Sequence, residues 1–206
     1  KVFIMRKSGN SQAIMDKLSL VADYLLVGVL WLLCSVPLVT TGAATSAMYR
    51  TVYQCMFQKE GYVLGTFFKA FKQSFFQSSL IWTGYLVLAS SFLLNRQQLA
   101  GSYSLLSDAI QIVLGICLLV LLPLVVLVLA YIARFEDPLR IILRNCGLLA
   151  LTHLGKMIQM LVLYTVVIVG IWLLPVFALV LLPVVVKKTV PICESLFGFC
   201  TIENAS

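Results

Sequence analysis

Few side chains in this sequence have the types and spacing that catalysis or metal binding requires. The chain contains one histidine, His153, together with eight acidic residues and six cysteines. No two cysteines follow the Cys-x-x-Cys spacing of a zinc or redox motif, and no nucleophile motif is present. We therefore expect no enzymatic activity, no metal and no cofactor.

The residues with the clearest binding chemistry are cations on two amphipathic stretches. Lys69 and Lys72 lie within a phenylalanine-rich run, and Arg140 and Arg144 follow Pro138. Side chains three or four residues apart lie on one side of a helix, so each pair can contact phosphate or acidic groups together. Such a stretch can simply anchor the chain to lipid, or it can present a basic surface to a partner.

The composition indicates an integral membrane protein. Hydrophobic residues make up 61% of the 206 residues, charged residues make up 11%, and the mean hydropathy is +1.03. Soluble domains are about half apolar and about a quarter charged, so this excess of apolar surface requires lipid to cover it. The net charge of +7 does not indicate nucleic acid, because membrane proteins collect Lys and Arg on their cytoplasmic side.

Residues 31–49 predict a broken helix around which the other membrane segments are arranged. Pro37 removes a backbone donor, and the polar residues after it can bond the freed backbone groups. Gly42, Ala43 and Ala44 have almost no side chain, so another helix can approach them closely. The hairpin is either a tight packing element or a part of a binding or gating device.

Hydropathy and periodicity predict an all-α integral membrane protein with one domain and about five membrane segments. These segments are 18–39, 43–58, 79–94, 109–133 and 157–186, and two interfacial amphipathic helices are expected at 61–77 and 138–150. Arg50 lies inside the second segment, where a charge is costly. That segment is therefore expected to lie against protein, to return as a re-entrant half-helix, or to let Arg50 reach the surface.

The distribution of Lys and Arg predicts the orientation. Four such residues occur in each of 1–17, 50–72 and 134–156, but only Arg96 occurs in 95–108. Basic segments stay on the cytoplasmic side, so we expect a cytoplasmic N-terminus and an external loop around Arg96. If the C-terminal tail is also external, Cys193 and Cys200 can pair there.

Three stretches resemble the YesL family, bacterial integral membrane proteins of a domain of unknown function. The first lies in 31–49 and reads Trp-Leu-Leu-Cys-Ser-Val-Pro, followed by Gly-Ala-Ala-Thr-Ser-Ala-Met-Tyr. The second combines Glu-Gly-Tyr at 60–62 with Phe-Phe-Lys-Ala-Phe-Lys at 67–72. The third is Ala-Arg-Phe-Glu at 133–136, with Asn145 downstream. The resemblance implies a bacterial cytoplasmic membrane protein. Family members tend to be encoded beside carbohydrate ABC importers and glycan-degrading enzymes, which implies a role in sugar uptake.

We accordingly expect an accessory subunit that contacts membrane lipid and the permease subunits of a carbohydrate ABC importer. A stand-alone small transporter and a membrane sensor or assembly factor are the alternatives. Two observations disfavour the transporter: few ionisable residues lie within the membrane segments, and the sequence shows no inverted repeat. The residues expected in packing or partner contacts are Pro37, Gly42, Ala43, Ala44, Arg50, Lys69, Lys72, Arg134, Glu136, Arg140 and Arg144.

Overall fold

The computed structural model describes residues 2–58, 61–99, 105–135, 137–173 and 178–203, with side chains at most of these positions. The described backbone is helical and contains no strand. Its α-helices are α1 (Val2–Cys34), α2 (Thr41–Thr51), α3 (Val63–Leu99), α4 (Leu105–Arg134), α5 (Leu139–Thr152), α6 (Leu154–Leu173) and α7 (Ala178–Glu203). A 3₁₀ turn at Leu38–Thr40 precedes α2, and a π-helix at Val52–Phe57 follows it.

Among the described residues, two helices are long and apolar enough to cross a membrane. They are Val63–Asn95 in α3 and Asp108–Arg134 in α4. The helices α5 and α6 are bent by 98° relative to each other and make a third span if the pair is counted as one. Leu18–Cys34 in α1 is apolar but shorter. These helices indicate a membrane protein, while the count of five segments stays a prediction.

The break after α1 is stabilised by a threonine. The Thr40 hydroxyl lies 2.6 Å from the Cys34 carbonyl oxygen, to which it can donate across the break. It also lies 2.8 Å from the Pro37 carbonyl oxygen, which accepts the Thr40 backbone N–H as well. The neighbouring Ser35 hydroxyl is buried without a described partner. The sequence therefore supplies a replacement donor within the turn itself, as the polar residues around Pro37 predict.

The chain after the break runs antiparallel to α3. Contacts pair Ser46 with Ser78 and Arg50 with Gln73, while the Trp82 indole donates to the Leu38 carbonyl at 3.0 Å. Beyond Trp82, α3 continues to the end of its apolar stretch for about 20 Å at the helical rise per residue. The α1–α2 hairpin thus reaches only part of the way along α3, which fits the re-entrant alternative better than a second full crossing.

One predicted boundary is wrong. The sequence separates an interfacial helix at 61–77 from a span at 79–94, but both belong to the continuous helix α3. Residues 66–83, which include the expected boundary, contain no Pro or Gly, and the Ser74 hydroxyl donates to the Ala70 carbonyl within the helix. Because α2 packs along α3 on both sides of the expected boundary, tertiary contacts also favour an unbroken helix.

The core draws side chains from all seven α-helices, and the C-terminal half of α4 and α7 contribute the most. Phe67, Leu127 and Leu196 are among its fully buried side chains. Phe68 and Phe75 remain about half exposed, so the phenylalanine stripe of α3 divides between the core and the outside. α5 covers the stretch predicted as a helix at 138–150 and begins at Leu139, with Pro138 as its N-cap residue, while its interfacial position stays a prediction.

Candidate functional site

The small residues of α2 pack inside the chain. Gly42, Ala43 and Ala44 are buried, whereas Pro37 is exposed. A Cβ atom added at Gly42 would lie 2.5 Å from the Trp82 Cβ and 2.6 Å from the Ser78 carbonyl oxygen, so the backbones of α2 and α3 approach too closely for any larger residue. The small side chains therefore serve contact with α3 of the same molecule.

A buried polar contact joins three helices beside this close approach. The Ser46 hydroxyl on α2 lies 2.7 Å from the Ser78 hydroxyl on α3 and donates to the Leu129 carbonyl on α4 at 3.1 Å. Ser46 and Ser78 are completely buried. Because unpaired hydroxyls are costly away from water, this network fixes the relative positions of α2, α3 and α4.

Several polar contacts gather at one end of the molecule, where α2 and α4 end and α3 begins. We call this the basic end. Arg50 donates to the Gln73 side-chain oxygen at 2.8 Å, and Lys156 at the start of α6 donates to Ser195 in α7 at 2.9 Å. The basic segments 50–72 and 134–156 meet at this end, because Arg50 and Arg134 line the same small cavity. The side of the membrane that this end faces stays a prediction.

Arg134 holds the end of α7 against α4. Its Nη2 lies 3.3 Å from the Glu194 Oε2, and its guanidinium carbon lies 4.1 Å from the centre of the Tyr53 ring. The Tyr49 hydroxyl donates to the other carboxylate oxygen at 3.3 Å. One cation thus connects α4, the π-helix and α7.

The Glu194 carboxylate is partly buried and lies outside the helices counted above as candidate spans. Burial raises the pKa of this carboxyl above its ordinary value, while Arg134 and the Tyr49 hydroxyl act in the opposite direction. The ionised form of Glu194 consequently depends on these two partners.

A second network connects the end of α4 to α5. The Tyr131 hydroxyl donates to the Asp137 carboxylate at 3.0 Å, and the Asn145 amide donates to the Tyr131 oxygen at 3.2 Å. Asn145, which the resemblance singles out, therefore positions α5 relative to α4. Glu136 lies outside the described residues.

Four cations on α3 and α5 point outward at the basic end. Lys69, Lys72, Arg140 and Arg144 are exposed, and none makes an ion pair or hydrogen bond with a described residue. We call this set the basic face. α5 meets α6 at 98°, so the two arginines lie on a helix nearly perpendicular to its successor.

The described residues contain no group of three or more His, Cys, Asp or Glu side chains that can hold a metal ion. His153 ends α5, with its Nδ1 2.9 Å from the Thr152 hydroxyl. Cys193 is a buried free thiol, and the side chain of Cys200 lies outside the described residues. The described polar groups of the basic end supply hydrogen-bond donors and positive charge, and both bind anions.

Sequence reasoning missed Glu194, Tyr49 and Tyr53 as partners of Arg134. Glu194 is 60 positions after Arg134 in the chain, and Tyr49 and Tyr53 precede Arg134 by about 80 positions. No local pattern connects them. The only available signal is a single carboxylate in an otherwise apolar stretch of α7, which calls for a partner.

The fold and this site define a helical membrane protein with a basic end. Residues 24–96 match the model of a family described as protein of unknown function, DUF624. The matched stretch contains the broken hairpin, Arg50 and nearly all of α3. No curated protein and no solved structure matches the chain.

Proposed function

We propose that this chain is an accessory membrane subunit of a bacterial carbohydrate ABC importer, and that it supports sugar or glycan uptake by binding the permease subunits. It lies in the cytoplasmic membrane with its N-terminus and its basic end in the cytoplasm. The YesL resemblance, which is compatible with the matched domain family, supplies the class of partner.

The observation that carries this proposal is the basic face. Lys69, Lys72, Arg140 and Arg144 are exposed on two helices and have no described counter-ion. Such charges suit either anionic lipid or acidic side chains on a partner. Lipid attracts each charge by about 1 kcal/mol without demanding a particular geometry. A protein carboxylate instead favours the two parallel hydrogen bonds of an arginine fork, which lysine cannot make.

A substitution that conserves charge distinguishes a lipid partner from a protein partner. We expect the double variant Arg140→Lys, Arg144→Lys to recover permease subunits several-fold less well than the wild type in pull-downs from native membranes. Membrane insertion should be unchanged, because the charges are retained. Quantitative mass spectrometry of the importer subunits measures this recovery.

Lys72→Arg is the matched control, since it keeps the charge of the basic face and leaves both arginines in place. Full recovery with the double lysine variant, combined with loss in Arg140→Glu, Arg144→Glu, would assign the face to general electrostatics and contradict specific docking.

The orientation is tested separately by labelling. In a chain whose native cysteines are replaced, single cysteines at positions 69 and 140 should react with a membrane-impermeant maleimide only after the cells are opened. A cysteine at position 96 should react in intact cells, because the positive-inside distribution predicts that this C-terminal end of α3 lies outside. Labelling of position 69 in intact cells would reverse the proposed orientation.

A further inference from the structure

A cavity at the basic end has the properties of an anion site. It has a volume of about 260 Å³ and opens between the end of α2, the π-helix and the first turns of α3. Its polar lining consists of Arg50, Gln54, Tyr62, Thr66 and Lys69. A water molecule takes about 30 Å³ of liquid volume, so the cavity has room for a group much larger than a single water.

Arg50 is the central cation of this part of the molecule. Besides this cavity, it lines an adjacent one of about 330 Å³ between α3 and the end of α4. Its described hydrogen bond is to Gln73, and it makes no ion pair with any described residue. A guanidinium has five N–H donors, so this bond leaves several donors for a ligand.

Two further features of the cavity favour negative charge. Lys69 brings a second cation to the same lining. α3 begins at Val63, and its first-turn amide groups next to Thr66 contribute the positive end of the helix dipole. The Thr66 hydroxyl accepts a weak bond from the Cys55 thiol at 3.8 Å, so its own hydrogen can point at a ligand.

From this arrangement we infer that the Arg50–Lys69 cavity binds a phosphoryl group. Phosphate oxygens accept paired hydrogen bonds from a guanidinium and single bonds from ammonium, hydroxyl and amide donors, which are the groups in this lining. The phosphoryl group can belong to a lipid headgroup or to a soluble phosphate. This inference does not depend on the proposed importer partner, and it uses Arg50 and Thr66, which are not part of the basic face.

The test uses the purified full-length chain in a neutral detergent. One arm titrates inorganic phosphate by calorimetry, and the other compares binding to micelles containing phosphatidylglycerol or phosphatidylcholine. We expect Arg50→Gln to weaken binding at least tenfold and Thr66→Val several-fold. In the phosphate arm Lys188→Gln, which removes an exposed charge from α7 outside both the cavity lining and the basic face, should change it less than twofold.

The arms also identify the source of the phosphoryl group. Binding of inorganic phosphate points to a soluble ligand, whereas selective binding of phosphatidylglycerol alone points to the lipid headgroup, and either result supports the site. Thermal unfolding of each variant shows whether it is folded, and Thr66→Val keeps the test valid if Arg50→Gln unfolds. Absence of binding in both arms, or equal losses of phosphate binding in Thr66→Val and Lys188→Gln, would overturn the inference.

Discussion

Replacement of Gly42 by leucine is expected to abolish the folded protein. Even an alanine Cβ would lie 2.6 Å from a backbone oxygen of α3, so α2 would have to move as a whole. Overpacking of this kind costs about 1–3 kcal/mol for small additions, and leucine adds much more volume. Fluorescence-detected size-exclusion chromatography after heating measures the effect as a lower apparent Tm for Gly42→Ala and as aggregated or missing protein for Gly42→Leu.

Gly84→Ala is the control on the helix that α2 contacts. A Cβ at Gly84 meets nothing within 4 Å, so alanine should leave the apparent Tm unchanged or raise it, with a helix propensity gain of up to about 1 kcal/mol. If Gly42→Ala behaves like Gly84→Ala, the close approach of α2 and α3 is not as described.

Loss of Arg134 is expected to have the second-largest effect. Arg134→Gln leaves the partly buried Glu194 carboxylate without its cation, and an unsatisfied group of this kind costs about 1–3 kcal/mol. The pKa of Glu194 should rise further, because burial then acts without the guanidinium. The free energy of unfolding of Arg134→Gln should therefore fall as the pH rises through the pKa of Glu194, because the neutral carboxylic acid tolerates burial better than the carboxylate.

Double-mutant comparison separates this ion pair from other effects. The combination Arg134→Gln, Glu194→Gln should be more stable than the sum of its two single variants predicts, by about 0.5–3 kcal/mol. Arg140→Gln, which removes an exposed arginine without a described partner, should change the apparent Tm little. Additive single variants would show that Arg134 and Glu194 do not stabilise each other.

The sequence predicts the hairpin well because its signals are local. Pro37 marks the break, and the small residues from Gly42 onward mark the helix that can approach another backbone closely. α5 is predicted for the same reason, from Pro138 and amphipathic spacing. Its start differs by one residue, because Pro138 is the N-cap residue and the helix begins at Leu139.

Features that depend on tertiary contacts are not predictable in this way. The sequence changes near Ser79 from an amphipathic to a mostly apolar pattern, which predicts a boundary between an interfacial helix and a span. In the structure α3 continues through this position, and α2 packs against it on both sides. The Glu194 partner of Arg134 and the cavity around Arg50 both arise from helices far apart in sequence. Only their folded arrangement brings these groups together.

Purification from native membranes tests the proposed importer role most directly. The tagged chain is extracted from its native membranes in a mild detergent, with an unrelated tagged membrane protein as the control, and the recovered proteins are quantified by mass spectrometry. We expect permease subunits of a carbohydrate ABC importer to be recovered in near-stoichiometric amounts and to be absent from the control. Recovery of the chain without permeases, together with sugar flux through the purified protein in liposomes, would contradict it and identify a stand-alone transporter.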